Sequence, residues 1–398
     1  MEKITYDFDV PVDRRGSGAL KWDVKENELP MWIADMDFRA APEIAAALQA
    51  RLDHGVFGYG GVPDEWYDAY VGWWKKRHGV LLDRKALIFC TGVVPAISST
   101  VRKLTTPNEK VLIQTPVYNI FYNSILNNGA RVSECPLIYR DGAYTVDFDS
   151  LEEKLADSQT NLMILCNPHN PVGKIWDRRT LETVGALAGR YRVTVLSDEI
   201  HCDIARPGCG YLPFFSVSDV CENNSVTCLA PTKAFNLAGI QTATVYVPDP
   251  YLRHKIERAL NTDEVAEPNS FAVPAAVAAF TKGEKWLDAA CAYLFENRRI
   301  AEEYVKDEIP QLNTVNADAT YLLWIDISSL HTGSAAFAAY LREKTGLIVS
   351  AGEAYGAAGR SFLRMNLACP KARLLDGLKR LKKGVSSFTE TGCGSGKE

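Results

Sequence analysis

The chain has 398 residues, of which 47% are hydrophobic and 23% charged, with a formal net charge of −5. That length suits one large domain plus a smaller one, the composition is that of a soluble globular protein, and the acidic balance excludes the basic face a nucleic-acid partner needs. No apolar run approaches the ~20 residues of a membrane span and the N-terminal MEKITYDFDVPVDRRG has no signal-peptide core, so a cytoplasmic protein is expected.

The segment through Ala40 has no helical period and is expected to pack across the two domains. After it, short apolar runs alternate with helical patterns. ALIFC (86–90), KVLIQ (110–114), NLMILC (161–166), VTVLS (193–197), SVTCLA (225–230) and TATVYV (242–247) read as strands. Helices are predicted around 95–104, 117–127, 177–191 and 233–240. Alternation of this kind implies an α/β fold with a mostly parallel central sheet covered on both faces. From 285 onward the texture changes: helical stretches at 285–306, 334–345 and 371–384 surround a strand, YLLWIDI (321–327), and imply a second, α+β domain. The expected division is a large domain at 46–284 and a small one at 1–45 with 285–390. The tail TGCGSGKE (391–398) is expected to be disordered. The ten cysteines include no C-x-x-C pair, against zinc-ribbon and thioredoxin-like readings; they read as reduced, buried small hydrophobes.

Ligands of open parallel sheets bind beyond the carboxyl ends of the strands, so the residues after each strand matter most. ALIFC is followed by TGVVPAI, a glycine turn into a helix start, where free amides can hold a phosphate. KVLIQ is followed by TPVY and Tyr118. NLMILC runs into CNPHNPVG, a stiff turn in which Pro168 and Pro171 each fix φ and restrain Asn167 and Asn170 toward extended conformations; it presents Asn167. VTVLS is followed by DEIH, with Asp198, Glu199 and His201. SVTCLA is followed by PTKAFNLAG, with Thr232 and Lys233.

Alone, Asp198 reads as a cap or turn former and Lys233 as a solvated charge. Together, an aromatic, an Asn, an Asp and a Lys occupy successive strand ends of one sheet and converge on one crevice. A desolvated lysine has a lowered pKa suited to Schiff-base chemistry. An aspartate suits a cationic ring nitrogen, a neutral Asn a phenolate oxygen, and an aromatic a ring face. These are the needs of pyridoxal 5'-phosphate.

The pieces N-P-H-N-P-x-G (167–173), D-E-I-H (198–201) and P-T-K (231–233) resemble fold-type-I pyridoxal-phosphate enzymes, the aspartate-aminotransferase superfamily. LPMWIADMDF (29–38), FGYG (57–60), TGVVPAI (91–97), TPVYNIFY (115–122), APTKAFNLAG (230–239) and FLRMNLACP (362–370) resemble its MalY/PatB branch, the cystathionine β-lyase-type C–S lyases, and the likeness runs to about Lys383. The resemblance implies that Lys233 forms the Schiff base and moves the α-proton, that Asp198 pairs with the pyridine nitrogen, and that Asn167 holds the 3′-oxygen. It also implies that Tyr118 stacks on the ring and touches the reacting substrate. The amides of Val93 and Val94, with Thr232 where the family often has Ser, would cradle the phosphate. Arg364 would clamp the substrate carboxylate, since its planar fork fits a carboxylate bidentately. Tyr59 would reach the neighbouring subunit's phosphate, which implies a homodimer with shared sites. His201 would support Asp198 or the ring, or simply pack. Asp35 and Asp37 are read as caps or entrance residues, and Trp32 as core or as the border of the substrate pocket.

The implied activity is a C–S β-lyase releasing pyruvate, ammonia and a thiol from L-cystathionine, L-cysteine or related S-conjugates. Two alternatives stay open. One is a class I/II aminotransferase, for which Arg39 or Arg360 would have to supply a second carboxylate site. The other is a regulatory binding protein that keeps the fold.

Overall fold

The computed structural model describes residues 6–390; the expected tail at 391–398 lies outside the described residues. Seven strands form the central sheet: β1 (Leu87–Cys90), β2 (Lys110–Thr115), β3 (Arg131–Pro136), β4 (Thr160–Cys166), β5 (Thr194–Asp198), β6 (Ser225–Leu229) and β7 (Ala243–Tyr246). Their spatial order is β1-β7-β6-β5-β4-β2-β3. Only β7 is antiparallel, against β1 and β6; the other pairs are parallel. Six of the seven were predicted to within one residue at each end. The seventh, β3, is a partly exposed edge strand, so its sequence RVSECP carries no continuous apolar run.

Successive residues of a strand face opposite sides, and both sides are covered here. Val111 and Ile113 pack with the helices Val93–Leu104 and Pro250–Thr262. Leu112, Met163 and Val195 pack with Phe148–Ala156 and Arg178–Arg190 on the other side. A second, antiparallel sheet orders Asn313–Thr314, Leu322–Asp326, Phe362–Asn366 and Ser350–Ala351. Leu323, Ile325, Leu363 and Met365 share an apolar cluster with Phe337 of the helix Ser334–Thr345, Val305 of Glu284–Glu308, and Leu378 and Leu381 of Lys371–Glu390. Among the described residues, eight of the nine cysteines are buried and all nine are unpaired.

The helix predicted over 233–240 does not form. Lys233 is followed by turns and one short 3-10 turn, Ala238–Ile240. The break is at Asn236, whose φ of +57° lies in the left-handed region that asparagine tolerates better than most residues. Its side chain then reaches out of the turn: Met36 N donates to Asn236 Oδ1 at 2.9 Å, and Asn236 Nδ2 donates to Met36 O at 3.0 Å and Phe38 O at 3.1 Å. After Asp198, which ends β5, residues 200–203 form a turn.

The N-terminal arm joins the two sheets, as its lack of period suggested. Leu29–Pro30 pairs in parallel with Leu347–Ile348. Asn366 Nδ2 then donates to Ile33 O at 2.5 Å and Asp35 O at 2.7 Å, before the arm reaches Asn236. Asp37 is the arm's electrostatic anchor. Its carboxylate is buried and meets Arg14 at 2.8 Å, Arg373 at 2.9 Å and Lys21 at 3.2 Å, and it accepts from Trp22 Nε1 at 2.9 Å. Asp35 pairs with Arg14 at 2.7 Å and Lys21 at 3.4 Å. Both acids therefore fasten the arm. Replacing Asp37 by Ala leaves three clustered cations with one counter-ion, so Asp37→Ala is expected to cost about 3–5 kcal/mol of stability, measured by urea unfolding; a loss below ~1 kcal/mol would contradict the anchor.

Candidate active site

The carboxyl ends of β1, β2, β5 and β6, and the turn after β4, open on one cavity of about 750 Å³. Lys233, Thr232, Asp198, His201, Tyr118, Val93 and Val94 line it from the central sheet's side. Arg364, from the second sheet, and Trp32, from the arm, close the other side.

Lys233 follows β6 and is enclosed by protein, with its remaining surface facing the cavity. Its Nζ donates to Ala34 O at 2.5 Å. Burial, reinforced by the nearby Arg364, lowers its pKa to about 8, while Asp35 and Asp198 pull the other way. Asp198 is the last residue of β5, in register between Cys166 and Cys228. Its Oδ1 accepts from Ile200 N at 3.2 Å. Burial pushes its pKa up to about 6, against the Ile200 amide and the Lys233 charge. Two oppositely charged groups thus sit in a buried site that disfavours both charges.

Burial also decides the protonation of two further titratable groups that line the cavity. The His201 pKa falls to about 3, helped by Lys233 and Arg364, so its imidazole is neutral, and its buried Nδ1 has no partner. The Tyr118 phenol is pushed up to about 12, chiefly by burial and then by Asp198. It is a hydrogen-bond donor, not a base, at neutral pH.

Arg364 is 5% exposed. Its Nη2 donates to Trp32 O at 2.9 Å and its Nη1 to Asn170 Oδ1 at 3.2 Å, and its guanidinium lies 4.8 Å from the Tyr355 ring centre. Its Nε is buried without a partner. At the opposite end of the cavity the helix Val93–Leu104 begins with no side-chain cap, so its first amides and the positive end of its dipole face the cavity.

Two predicted residues are not brought into the cavity. Asn167 is fully buried beneath it: its backbone N donates to Asp198 O at 2.9 Å and its Nδ2 to Leu212 O at 2.9 Å. The asparagine of the same turn that lines the cavity is Asn170, which the sequence reading treated only as a restrained turn position. The reason is where the turn docks. Gly173 has φ +72°, and a Cβ there would lie 2.5 Å from Ala317 Cβ and 2.8 Å from Ala319 O. Only glycine allows that approach, and it swings the second half of the turn, not the first, toward the second sheet and Arg364. Tyr59 is fully exposed. It borders an outer groove with Phe57, Pro268 and Ser270, away from its own chain's cavity. Tyr355, Ala34 and Tyr321, whose OH donates to Ala34 O at 3.1 Å, were also missed. The only local signal for Asn170 was its place before a second proline.

A lysine of lowered basicity, a carboxylate and an arginine, held between a doubly covered parallel sheet and a second sheet, define a site for amine chemistry on a carboxylate-bearing substrate. The chain belongs to the aminotransferase class I and II family, whose profile matches residues 30–381, and the fold is the expected aspartate-aminotransferase-like arrangement. The chain is 42% identical over 386 residues to cystathionine beta-lyase PatB of Bacillus subtilis (strain 168), covering 95% of this chain and 100% of that one. It is 33% identical over 388 residues to protein MalY of Escherichia coli (strain K12), covering 96% and 99%. The crystal structure of a PLP-bound C–S lyase from Staphylococcus hominis superposes with a TM-score of 0.90 at 30% identity, over 96% of this chain and 98% of that one.

The lowered basicity of Lys233 is open to direct test. Labelling of ligand-free protein by trinitrobenzenesulfonate, mapped by mass spectrometry against pH, is expected to be half-maximal at Lys233 near pH 8, because only the neutral amine reacts and its fraction rises through the pKa. A midpoint near the ~10.4 of exposed lysines would show that the site does not desolvate the amine.

Proposed function

We propose that this chain is a pyridoxal 5'-phosphate-dependent carbon–sulfur β-lyase that cleaves L-cystathionine, L-cysteine or related cysteine S-conjugates by α,β-elimination. The observation that carries the reading is the joint placement of Lys233, Asp198 and a single lining arginine, Arg364, in one cavity with an uncapped helix start. The donor set fits the cofactor. Lys233 would bond its carbonyl carbon, Asp198 its ring nitrogen and Asn170 its ring oxygen. Tyr118 would cover a ring face, with His201, whose buried Nδ1 has no partner, alongside, and the amides of Val93 and Val94 with the Thr232 hydroxyl would hold the phosphate, as helix starts do.

When bound, the cofactor supplies an electron sink for the pair left on the substrate's α-carbon. The chain supplies the rest. Arg364, already oriented by Asn170 and Trp32 O, holds the α-carboxylate, so the Cα–H bond is presented in a fixed orientation. The Lys233 amine takes that proton; a pKa near 8 leaves an appreciable neutral fraction at physiological pH and makes the proton easy to return. The Cβ–S bond breaks with its pair on sulfur, and Lys233, or the protonated Tyr118 phenol, gives the sulfur a proton. The released enamine takes up water, so one S-conjugate and one water yield pyruvate, ammonium and a thiol.

The same residues could serve transamination, but the arginines that a second carboxylate site would require lie elsewhere. Arg39 borders a separate cleft of about 220 Å³ with Phe38 and Trp286, and Arg360 is exposed outside the cavity lining. The complete reactive set also weighs against a purely regulatory protein. Tyr59, exposed beside Phe57, which packs against Phe271 at 5.8 Å, supports the further reading that a second copy seats there and receives Tyr59 at its phosphate site. No helix of the described residues is long and apolar enough to cross a membrane.

Cofactor-loaded protein is expected to release pyruvate and thiol in equal amounts from cysteine S-conjugates, with sustained turnover and no added keto acid, and Lys233→Ala to reduce this by at least ~10⁴-fold. Conversion of the cofactor to its amino form without pyruvate would identify a transaminase instead. Asn170→Ala is expected to weaken cofactor retention by about tenfold or more, since a bond to a charged oxygen is lost, whereas Asn167→Ala should mainly lower stability. Equilibrium dialysis of the two variants compares them; an effect on retention confined to Asn167→Ala would reverse the assignment.

A further inference from the structure

Two side chains meet at one backbone oxygen of the arm. Lys233 Nζ donates to Ala34 O at 2.5 Å, and the Tyr321 hydroxyl donates to the same oxygen at 3.1 Å. A carbonyl oxygen has two lone pairs, so these two donors fill it. Ala34 lines the cavity and Tyr321 does not; the phenol acts on the amine through the carbonyl between them. Tyr321 is 1% exposed. Burial, and then the charge of Asp35, push its pKa well above the ordinary tyrosine range, so it stays a donor through neutral and mildly alkaline pH.

The fold holds this phenol firmly. Thr320, the residue before it, has φ +67°, in the left-handed region that β-branched residues rarely adopt. Three bonds keep it there: Thr320 N donates to Ile204 O at 2.8 Å, Leu322 N to Thr320 Oγ1 at 3.2 Å, and Arg298 Nη2 to Thr320 O at 3.4 Å. Backbone strain of this kind persists where the surroundings over-determine it, and it collects at functional sites. Leu367 N donates to Tyr321 O at 2.8 Å, and the Tyr321 ring meets His201 edge-on with centroids 6.2 Å apart. Lysine, by contrast, carries its amine on a flexible four-carbon stem. A stiff donor therefore fixes the acceptor on which a flexible amine comes to rest.

Resting on the lyase reading above, we propose that Tyr321 is a positioning residue for the proton transfer: its hydroxyl holds the Ala34 carbonyl so that the free Lys233 amine, docked on that carbonyl, directs its lone pair at the substrate's Cα–H. A neutral amine that donates one N–H to Ala34 O keeps its lone pair in a fixed direction, and alignment of that kind is what a proton transfer requires. The N–H bond forms as Cα–H breaks, and the electron pair of Cα–H stays with the substrate side, as in the reaction above. The hydroxyl also tunes the amine. An oxygen that already accepts one hydrogen bond is a poorer acceptor for an ammonium, and a hydrogen bond to the charged form favours that form. Without the hydroxyl, Ala34 O stabilises the ammonium more. The other groups that face Lys233 are Arg364 from the second sheet, Asp35 from the arm, and Asp198 and the neutral His201 from the end of β5 and the turn after it; a change at Tyr321 leaves all four in place.

The test is Tyr321→Phe, which keeps the ring and loses only the hydroxyl. In ligand-free protein, the pH midpoint of trinitrobenzenesulfonate labelling at Lys233 is expected to rise by about half a unit or more, the worth of one hydrogen bond. A midpoint that stays or falls overturns the proposal; a tyrosine that only packs would lower stability to urea and leave the midpoint where it was. 3-Fluorotyrosine introduced at position 321, nearly the same size and a stronger donor, should move the midpoint down, and the absence of that shift overturns the proposal even if Tyr321→Phe does not fold. In cofactor-loaded protein, Tyr321→Phe should lower kcat for pyruvate release from L-cystathionine about tenfold and leave KM within about twofold, because Arg364 keeps its carboxylate site; an unchanged kcat removes the positioning role. If the unsubstituted protein releases no pyruvate, the lyase reading fails, and the labelling midpoints still decide whether Tyr321 governs the amine.

Discussion

A short bent segment, residues 31–38, fixes the active site, and it is held by side-chain amides rather than by membership of a large sheet. Asn366 grips it from the second sheet and Asn236 from the loop after Lys233. Each such bond contributes about 1 kcal/mol, but their joint effect is geometric. Between the two grips, Trp32 O accepts from Arg364 and Ala34 O from Lys233. Two cations from different parts of the fold are thereby set against one segment, and the Asp37 cluster locks that segment to the helix Lys371–Glu390 through Arg373.

Burial then does the electrostatic tuning. The same desolvation lowers Lys233, raises Asp198, keeps His201 neutral and keeps Tyr118 protonated. The floor of the site is polar and stiff: fully buried Glu199 accepts from Ser197 Oγ at 2.7 Å and Phe214 N at 2.8 Å and bonds to the Tyr211 hydroxyl. A ligand with a cationic nitrogen at Asp198 and an anionic carboxylate at Arg364 restores the partners that folding removed. That complementarity, more than any single residue, supports an amino-acid substrate on a pyridine cofactor.

The fate of the substrate depends on groups around this set, because proton removal at Cα precedes both elimination and transamination. Among the described residues the cavity has one lining arginine, Arg364. Relatives carry both lyase and aminotransferase names.

The sequence by itself determined the α/β class, six of the seven central strands and most of the residues at their ends, because apolar runs report burial directly and strand ends report where a crevice lies. It also determined Lys233, Asp198, Tyr118 and Arg364 as candidates that the fold gathers into one cavity. Tertiary structure decided what periodicity cannot encode. The 233–240 stretch reads as helical, yet Asn236 leaves the helix to bind the arm. Asp35 and Asp37 read as caps or entrance residues, yet both pair with Arg14 and Lys21, and Asp37 also meets Arg373, 336 residues further on. The choice of Asn170 over Asn167 turned on Gly173 docking against Ala317 and Ala319, some 145 residues further along the chain. Local patterns fix conformation and burial; the direction in which a side chain points out of a turn is fixed by what the turn packs against.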